Sequence, residues 1–236
     1  MDLDNPPASP GAAIVTGAAA GIGAATAAAL AEAGYQVTAV DRFPTTEPGP
    51  GIRSVELDVR DHAACQELIA AIGADLTLLV NVAAVRPEAP MLEQDVEGWR
   101  AAMEVNVIGP FVLLQAAART MRPGGSIVNV ASGAAYGKPL LVAYGASKAA
   151  LISMSKTAAM ELAAAGIRVN VVLPGTTETP MLTAASAYDP ERRTRSRNTT
   201  GEVLSAEQVA AGIVRVAQDP LLSGSVVPVG LLPVAW

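Results

Sequence analysis

Histidine and cysteine are almost missing from this sequence, which has one of each, His62 and Cys65. A single cysteine excludes a disulfide within the chain. A single histidine removes His-rich zinc sites and His-driven nucleophilic triads. His62 follows Asp61 and reads as a solvated residue at a helix start. Aromatic residues make up 3% of the chain and charged residues 16%, with a formal net charge of −6, so no basic surface for nucleic acid is in view. No Lys or Arg precedes Arg42, so the positive leader of a signal peptide is missing. The uncharged run 5–31 is broken by Pro6, Pro7, Pro10, Gly11, Gly17, Gly21 and Gly23, which argues against a membrane span. These absences predict a reducing, cytoplasmic location and no membrane partner.

What remains is a chain of 236 residues, 51% of them hydrophobic, enough for one large domain with a buried core. We read 1–10 as a disordered lead-in and 11–236 as a single domain. Residues 12–16 form a short apolar strand, 17–23 a glycine-rich turn, 21–33 a helix stopped by Gly34, and 35–40 a second strand closed by Asp41. The alternation continues with strands at 53–57, 76–82, 125–130, 167–173 and 225–229. Helices are read at 63–72, 96–120, 144–164 and 206–218. Strands without polar alternation, separated by helices, predict an α/β fold: a doubly wound parallel sheet of about seven strands. The connection after 173 is too long for an ordinary turn, and residues 176–200 read as a lid. Arg192, Arg193, Arg195 and Arg197 lie within it, either as a solvated helix face or as a surface meeting an anionic substrate.

Two features carry chemistry. Gly17, Gly21, Ile22 and Gly23 lie between a strand and a helix, where glycines permit a tight turn and close approach of the backbone to a pyrophosphate. Asp41, at the end of the second strand, is placed to accept from adenosine ribose hydroxyls and to repel a 2′-phosphate. The same residue in a plain strand-end turn is the other account. Arg42, next to it, is of the type that welcomes such a phosphate. The weight given to Asp41 predicts NAD over NADP. Further on, Tyr144 and Lys148 lie four residues apart in a helical stretch, on one face. A phenol has a pKa of about 10, and a nearby ammonium favours its ionised form, so the pair is a plausible proton-transfer device.

Taken together, these residues resemble the short-chain dehydrogenases/reductases. The resemblance spans about 12–229 and rests on several ordered motifs. They are Thr16-Gly-x-x-x-Gly-Ile-Gly23, Asp58-Val59, Asn81, Asn106, Ser132, Tyr144-x-x-x-Lys148, and Pro174-Gly175 followed by Thr179 and Met181. It implies a Rossmann-like fold and a nicotinamide cofactor. It also implies hydride transfer between that cofactor and a secondary alcohol or ketone. Tyr144 would be the general acid/base and Lys148 its modulator and a ribose ligand. Ser132 would bond the substrate oxygen, and Asn106 would position a relay water. Asp58 and Val59 would sit at the adenine, Asn81 at a ribose, and Pro174 and Thr179 near the nicotinamide. The segments 143–151 and 174–181 look most like members that oxidise cyclic dihydrodiols, such as dihydroxybenzoate-forming dehydrogenases. An NADPH-dependent ketoacyl-thioester or ketone reductase is the alternative, and a dinucleotide-binding regulator or scaffold without turnover is another. The family implies a homo-oligomer, tetramer or dimer, paired through the 96–120 and 144–164 helices. Two departures stand out: Val82 and Ala84 replace the Asn and Gly usual after the fourth strand, and the chain ends in an apolar Pro233-Val234-Ala235-Trp236.

Overall fold

The computed structural model describes residues 10–43, 48–184, 201 and 203–230. Much of the expected lead-in, residues 185–200 of the expected lid with their four arginines, and the apolar terminal residues lie outside these.

Seven parallel strands form one sheet: β1 (Ala12–Thr16), β2 (Gln36–Asp41), β3 (Ile52–Glu56), β4 (Leu76–Asn81), β5 (Ser126–Val130), β6 (Arg168–Pro174) and β7 (Val226–Val229). Their order is β3-β2-β1-β4-β5-β6-β7. The helices are α1 (Gly21–Glu32), α2 (His62–Ile72), α3 (Val96–Met103), α4 (Gly109–Thr120), α5 (Val142–Glu161), α6 (Pro180–Thr183) and α7 (Ala206–Gln218). The predicted single-domain, doubly wound Rossmann-like sheet is what the chain forms.

Period-two geometry sorts the strand side chains into two layers. Ala13 and Val15 face the α1 and α7 side with Leu30, Val209 and Ile213. Ile14 faces the other side with Cys65, Ile69, Leu113 and Ala117. In β4 this alternation is broken once. The register against β1 shifts between Ala12 and Ala13, skipping Thr77, so Leu76 and Leu78 point to opposite layers. The edge strands carry what a central strand would not: Arg53 and Glu56 in β3, and Pro228, which lacks an N–H, in β7.

The sheet order reverses between β1 and β4, and the crevice outside the carboxyl ends of these strands is where open α/β sheets bind ligands. Thr16 and Asn81 are partners at that end. The predicted helix at 96–120 is continuous in space but not uniform. A π-helical segment, Glu104–Ile108, separates α3 from α4 and contains Asn106. Wide turns of this kind recur at functional sites because they re-aim backbone groups.

Candidate active site

The glycine turn is built by mutual exclusion of side chains. Gly17 has φ +68, and a Cβ there would lie 2.7 Å from both Cα and N of Ala83. A Cβ on Gly23 would lie 2.0 Å from the Gly17 carbonyl oxygen. Gly21 has φ +55 and sits beneath the Thr179 methyl, 3.1 Å from where its Cβ would be. Ala20, at the N-cap of α1, offers no side-chain cap, and no acidic residue lies in the first turn. The opening N–H groups of a 12-residue helix thus lack a side-chain cap at the sheet's reversal point. A pyrophosphate fits this cradle, whose floor is backbone where any Cβ would intrude. Thr16 explains why Val82 and Ala84 are tolerated. Its Oγ1 accepts from both Val82 N–H (3.1 Å) and Ala83 N–H (3.2 Å), fixing the turn after β4. Ala84 does not adopt the left-handed backbone that would require glycine; among the described residues only Leu140 does so without being one.

Asp41 lies at the end of β2 with both oxygens engaged. Oδ2 accepts from Ala19 N–H in the glycine turn and Oδ1 from Phe43 N–H, each at 3.1 Å. The carboxylate therefore shapes the cradle and faces it. Arg42 turns its guanidinium over the Phe43 ring, 4.8 Å from the centroid. Asp58, the residue expected at the adenine, is paired with Arg60. Arg60 donates to its carboxylate from N–H (3.0 Å), from Nε (3.0 Å to each oxygen) and from Nη2 (2.6 Å), holding the acid below the usual carboxylate range. Val59 is buried, and a Cβ on Gly109 would meet its side chain and carbonyl at 3.0 Å. Asn81 is 2% exposed and donates from Nδ2 to Asn129 Oδ1 at 2.8 Å; Asn129 donates onward to Ser155 Oγ at 2.8 Å. In this position its side chain braces β4 against β5 rather than lining the cleft.

The acid–base group assembles where β5, the π-helical segment and α5 meet. Tyr144 and Lys148, both buried, share one face of α5, with Nζ 5.8 Å from the phenol ring centroid. Lys148 Nζ donates to the Val130 carbonyl at 2.8 Å. Ser132 follows β5, and its Oγ accepts from Ala134 N–H at 3.2 Å. Asn106, fully buried, clamps the loop after β4. Its Oδ1 accepts from Val85 N–H (2.8 Å), and its Nδ2 donates to Val85 O and Ser147 Oγ (2.9 Å each). Both Nδ2 protons are used in this clamp, so any water Asn106 holds is met by its backbone or by the second lone pair of Oδ1.

The electrostatics differ from the sequence expectation. Burial pushes the Tyr144 phenol up, opposed by hydrogen bonding from Ser132 and by the charge of Arg86. Burial also pushes Lys148 down to about 7, so its ammonium is not the fixed charge that was to acidify the phenol. A stability effect follows. The unfolded chain keeps the Lys148 proton up to 10.5, whereas the folded chain releases it near about 7. Between these values the unfolded state binds more protons, and stability rises with pH, by up to about 1.4 kcal/mol per pH unit. Cys65, pushed up by burial from 9.0 to about 11, opposes this above pH 9. Urea titrations of the cofactor-free protein at pH 7.0 to 8.5, roughly the lower part of that window, should show rising stability in the wild type and a flat profile in Lys148→Met.

The remaining predicted residues close the cleft. Pro174 ends β6, and Gly175 N–H donates to Val229 O at 2.8 Å. Thr179 caps α6 through Oγ1, which accepts from Leu182 N–H at 3.3 Å. The first residues of the expected lid are anchored: Glu178 N–H donates to Leu204 O, and Leu204 N–H to Thr176 O, each at 2.9 Å. A cleft of about 1060 Å³ lies at the opposite, amino-terminal edge of the sheet and is lined by Gly11, Gln36, Thr77 and Arg168. It contains none of the predicted site residues.

A family model described as enoyl-(acyl carrier protein) reductase matches residues 17–229. The 2,3-dihydro-2,3-dihydroxybenzoate dehydrogenase of Escherichia coli (strain K12) is 38% identical over 221 residues, 87% of this chain and 88% of the relative. The chain belongs to the short-chain dehydrogenase/reductase family. The cis-4-hydroxycyclohexanecarboxylate dehydrogenase of Sinomonas cyclohexanicum is 37% identical over 222 residues, 88% of this chain and 89% of that one. Among solved structures, a short chain dehydrogenase from Burkholderia cenocepacia J2315 in complex with NADP superposes with a TM-score of 0.82 at 28% identity, over 94% of this chain and 96% of that chain. As a short-chain dehydrogenase/reductase, the protein is an NAD(P)-dependent oxidoreductase acting on CH–OH groups of small molecules.

Within this short-chain dehydrogenase/reductase, sequence reasoning missed two residues that the structure brings to the site. Arg86 and Glu88 form an ion pair at 3.0 Å in the loop that Asn106 clamps. The signal was present as two charges in the otherwise apolar stretch after β4.

Proposed function

We propose that the protein interconverts a secondary alcohol and a ketone on a cyclic substrate, with NAD preferred, and that Tyr144 moves the proton. The observation that carries this reading is the meeting of Tyr144, Ser132 and Lys148 at the same carboxyl end of the sheet as the glycine cradle. When bound, the nicotinamide supplies the acceptor or donor of the hydride. Tyr144 takes the hydroxyl proton in oxidation and returns it in reduction, at its phenolic oxygen. Ser132 hydrogen-bonds the same substrate oxygen, and in a site this dry each such bond counts for more than in water. Lys148, held by Val130, is the proton reservoir next to the phenol: with its pKa near about 7 it can carry or release a proton at neutral pH. The glycine cradle and Thr179 hold the cofactor from two sides, and Asn106 keeps the loop after β4 in place.

The preference for NAD rests on Asp41, whose negative charge beside the ribose site opposes a 2′-phosphate. Arg42 favours the opposite choice, and a relative was solved with NADP. A cyclic substrate is supported by the two ring-directed relatives, and a carboxylate on the ring is compatible with both of their names. The test is a screen of cyclic alcohols and dihydrodiols, with and without a carboxylate, against NAD and NADP. Reduction of NAD by a cyclic secondary alcohol is the expected result. Cofactor binding without turnover of any alcohol would favour a regulator instead. Asp41→Asn should shift the NADP-to-NAD ratio of kcat/KM upward by about tenfold, equivalent to roughly 1.4 kcal/mol; an unchanged ratio would clear Asp41 of the choice.

A homo-oligomer is part of this reading. α4 and α5 border a groove of about 450 Å³ lined by Phe111, Leu114, Met154 and Leu162. Phe111 is 44% exposed and Met160, on α5, 72%. Apolar exposure of this kind on two adjacent helices is suited to a second copy of the chain. A cytoplasmic location completes the reading, supported by the single buried cysteine.

A further inference from the structure

We propose that Arg86 is the carboxylate-binding residue of the substrate site, and that Glu88 occupies it until an anionic substrate displaces it. The proposal rests on the cyclic-substrate reading above and names the group on the ring that the protein grips. Arg86 directly follows Val85, whose N–H and C=O are both bonded by the Asn106 side chain, and Asn106 reaches Ser147 within the turn that follows Tyr144. On the other side the same loop is strapped to the segment before α5. Ala89 N–H donates to Leu140 O at 3.0 Å, and Leu140 holds a left-handed φ of +68 to make that contact. The next residue, Leu141, packs on Tyr144. Arg86 is therefore held from both flanks, near enough to Tyr144 for its charge to act on the phenol.

The pairing of Arg86 is poorly made. The Arg86 and Glu88 side chains are 16% and 10% exposed and their charged groups stand 3.0 Å apart, yet Glu88 Oε2, shut off from solvent, forms no aligned hydrogen bond. Nor does any Arg86 side-chain N–H make a hydrogen bond among the described residues. A guanidinium is a planar fork that matches a carboxylate with two parallel bonds. The contact with Glu88 keeps its charge attraction but forgoes the two parallel bonds that a well-placed carboxylate would make. Lys138 adds a second positive charge; although its surface is largely open, burial and the charge of Arg86 push its ammonium down while Glu88 pulls it up. Two cations and one carboxylate leave this region short of one negative charge. A ring substrate entering with its carboxylate towards Arg86 supplies it, and the freed Glu88 turns to Lys138 or to water.

The test is calorimetric titration of the NADH-loaded protein with cyclohexanecarboxylate and with cyclohexanecarboxamide. These differ in charge but little in shape, and neither needs turnover. The wild type should bind the acid about tenfold more tightly than the amide. Arg86→Gln should erase that preference, leave the amide within about threefold of its wild-type affinity, and leave NADH binding unchanged. Glu88→Gln removes the internal competitor while keeping Arg86, and should tighten acid binding several-fold. Equal affinities in the wild type, a preference that survives Arg86→Gln, or weaker acid binding in Glu88→Gln would each overturn the proposal. A preference for the acid that depends on Arg86, found in a protein that oxidises no alcohol, would support this site while removing the dehydrogenase reading.

Discussion

Tyr144→Phe is expected to lower kcat by at least about 10³-fold while leaving the affinity for cofactor within a factor of about two. The substitution removes one oxygen from a side chain that is 8% exposed and packed with Ala134 and Leu141, so the fold has little reason to change. What disappears is the one phenol that, among the described residues, is buried and hydrogen-bonded by Ser132. Lys148 Nζ is tied to the Val130 carbonyl, and the chain's one histidine, His62, pairs with Glu104 at 3.1 Å, so neither stands in for the phenol at the substrate oxygen. Arg86 cannot accept a proton. Stopped-flow measurement of NADH formation, together with NADH fluorescence titration, separates the two quantities. A kcat within tenfold of wild type would show that the proton leaves by another route and would remove Tyr144 from the mechanism. The pH profile adds a check. Because burial raises the phenol and lowers Lys148, oxidation in the wild type should speed up as pH rises through about 7, and Lys148→Met should lose that rise.

The extent to which the sequence foretold this site depends on the kind of interaction. α7 was legible to the residue because local chemistry defines it: Ser205 and Gln208 form a reciprocal capping box, at 3.3 and 2.9 Å. The central strands were legible because burial on both faces leaves no polar alternation. Asp41 was legible because its place at the end of β2 follows from the length of one crossover. Interactions set by tertiary contacts were not. The spacing of Tyr144 and Lys148 places them on one face, but it carries no information about how dry that face is, and dryness turns the expected ammonium into a group near neutrality. The adenine role of Asp58 came from the family resemblance, and the resemblance gave no sign of Arg60, two residues on, which holds its carboxylate in the structure. The π-helical segment around Asn106 is a single five-residue turn, too short for a change of period to stand out in a hydrophobic pattern. Arg86 and Glu88 were visible as charges, but their proximity to the phenol depends on the clamp by Asn106 and the strap through Leu140.

Gly23→Ala should abolish measurable cofactor binding at concentrations that saturate the wild type, a loss of about 10²-fold or more in affinity. The reason is the position of one methyl group. It would lie 2.0 Å from the Gly17 carbonyl oxygen, 2.6 Å from its carbon and 3.1 Å from Ala18 Cα, all backbone atoms with no side-chain rotation to relieve them. Relief requires Gly17 to move, but Gly17 is itself wedged against Ala83, whose N–H is held by Thr16. The displacement therefore runs through the whole turn and moves Ala19, releasing its N–H from Asp41. Overpacking of this sort costs about 1–3 kcal/mol in a well-packed site, and at the upper end that corresponds to about a hundredfold in binding. The neighbouring Ala20→Gly provides the control, since it lies in the same turn, adds no atoms and should bind cofactor within a few-fold of wild type. Fluorescence titration with NADH on both variants, with circular dichroism to confirm that each retains the sheet, decides the matter. If a folded Gly23→Ala protein binds NADH as tightly as the wild type, the cofactor does not sit on the turn between β1 and α1.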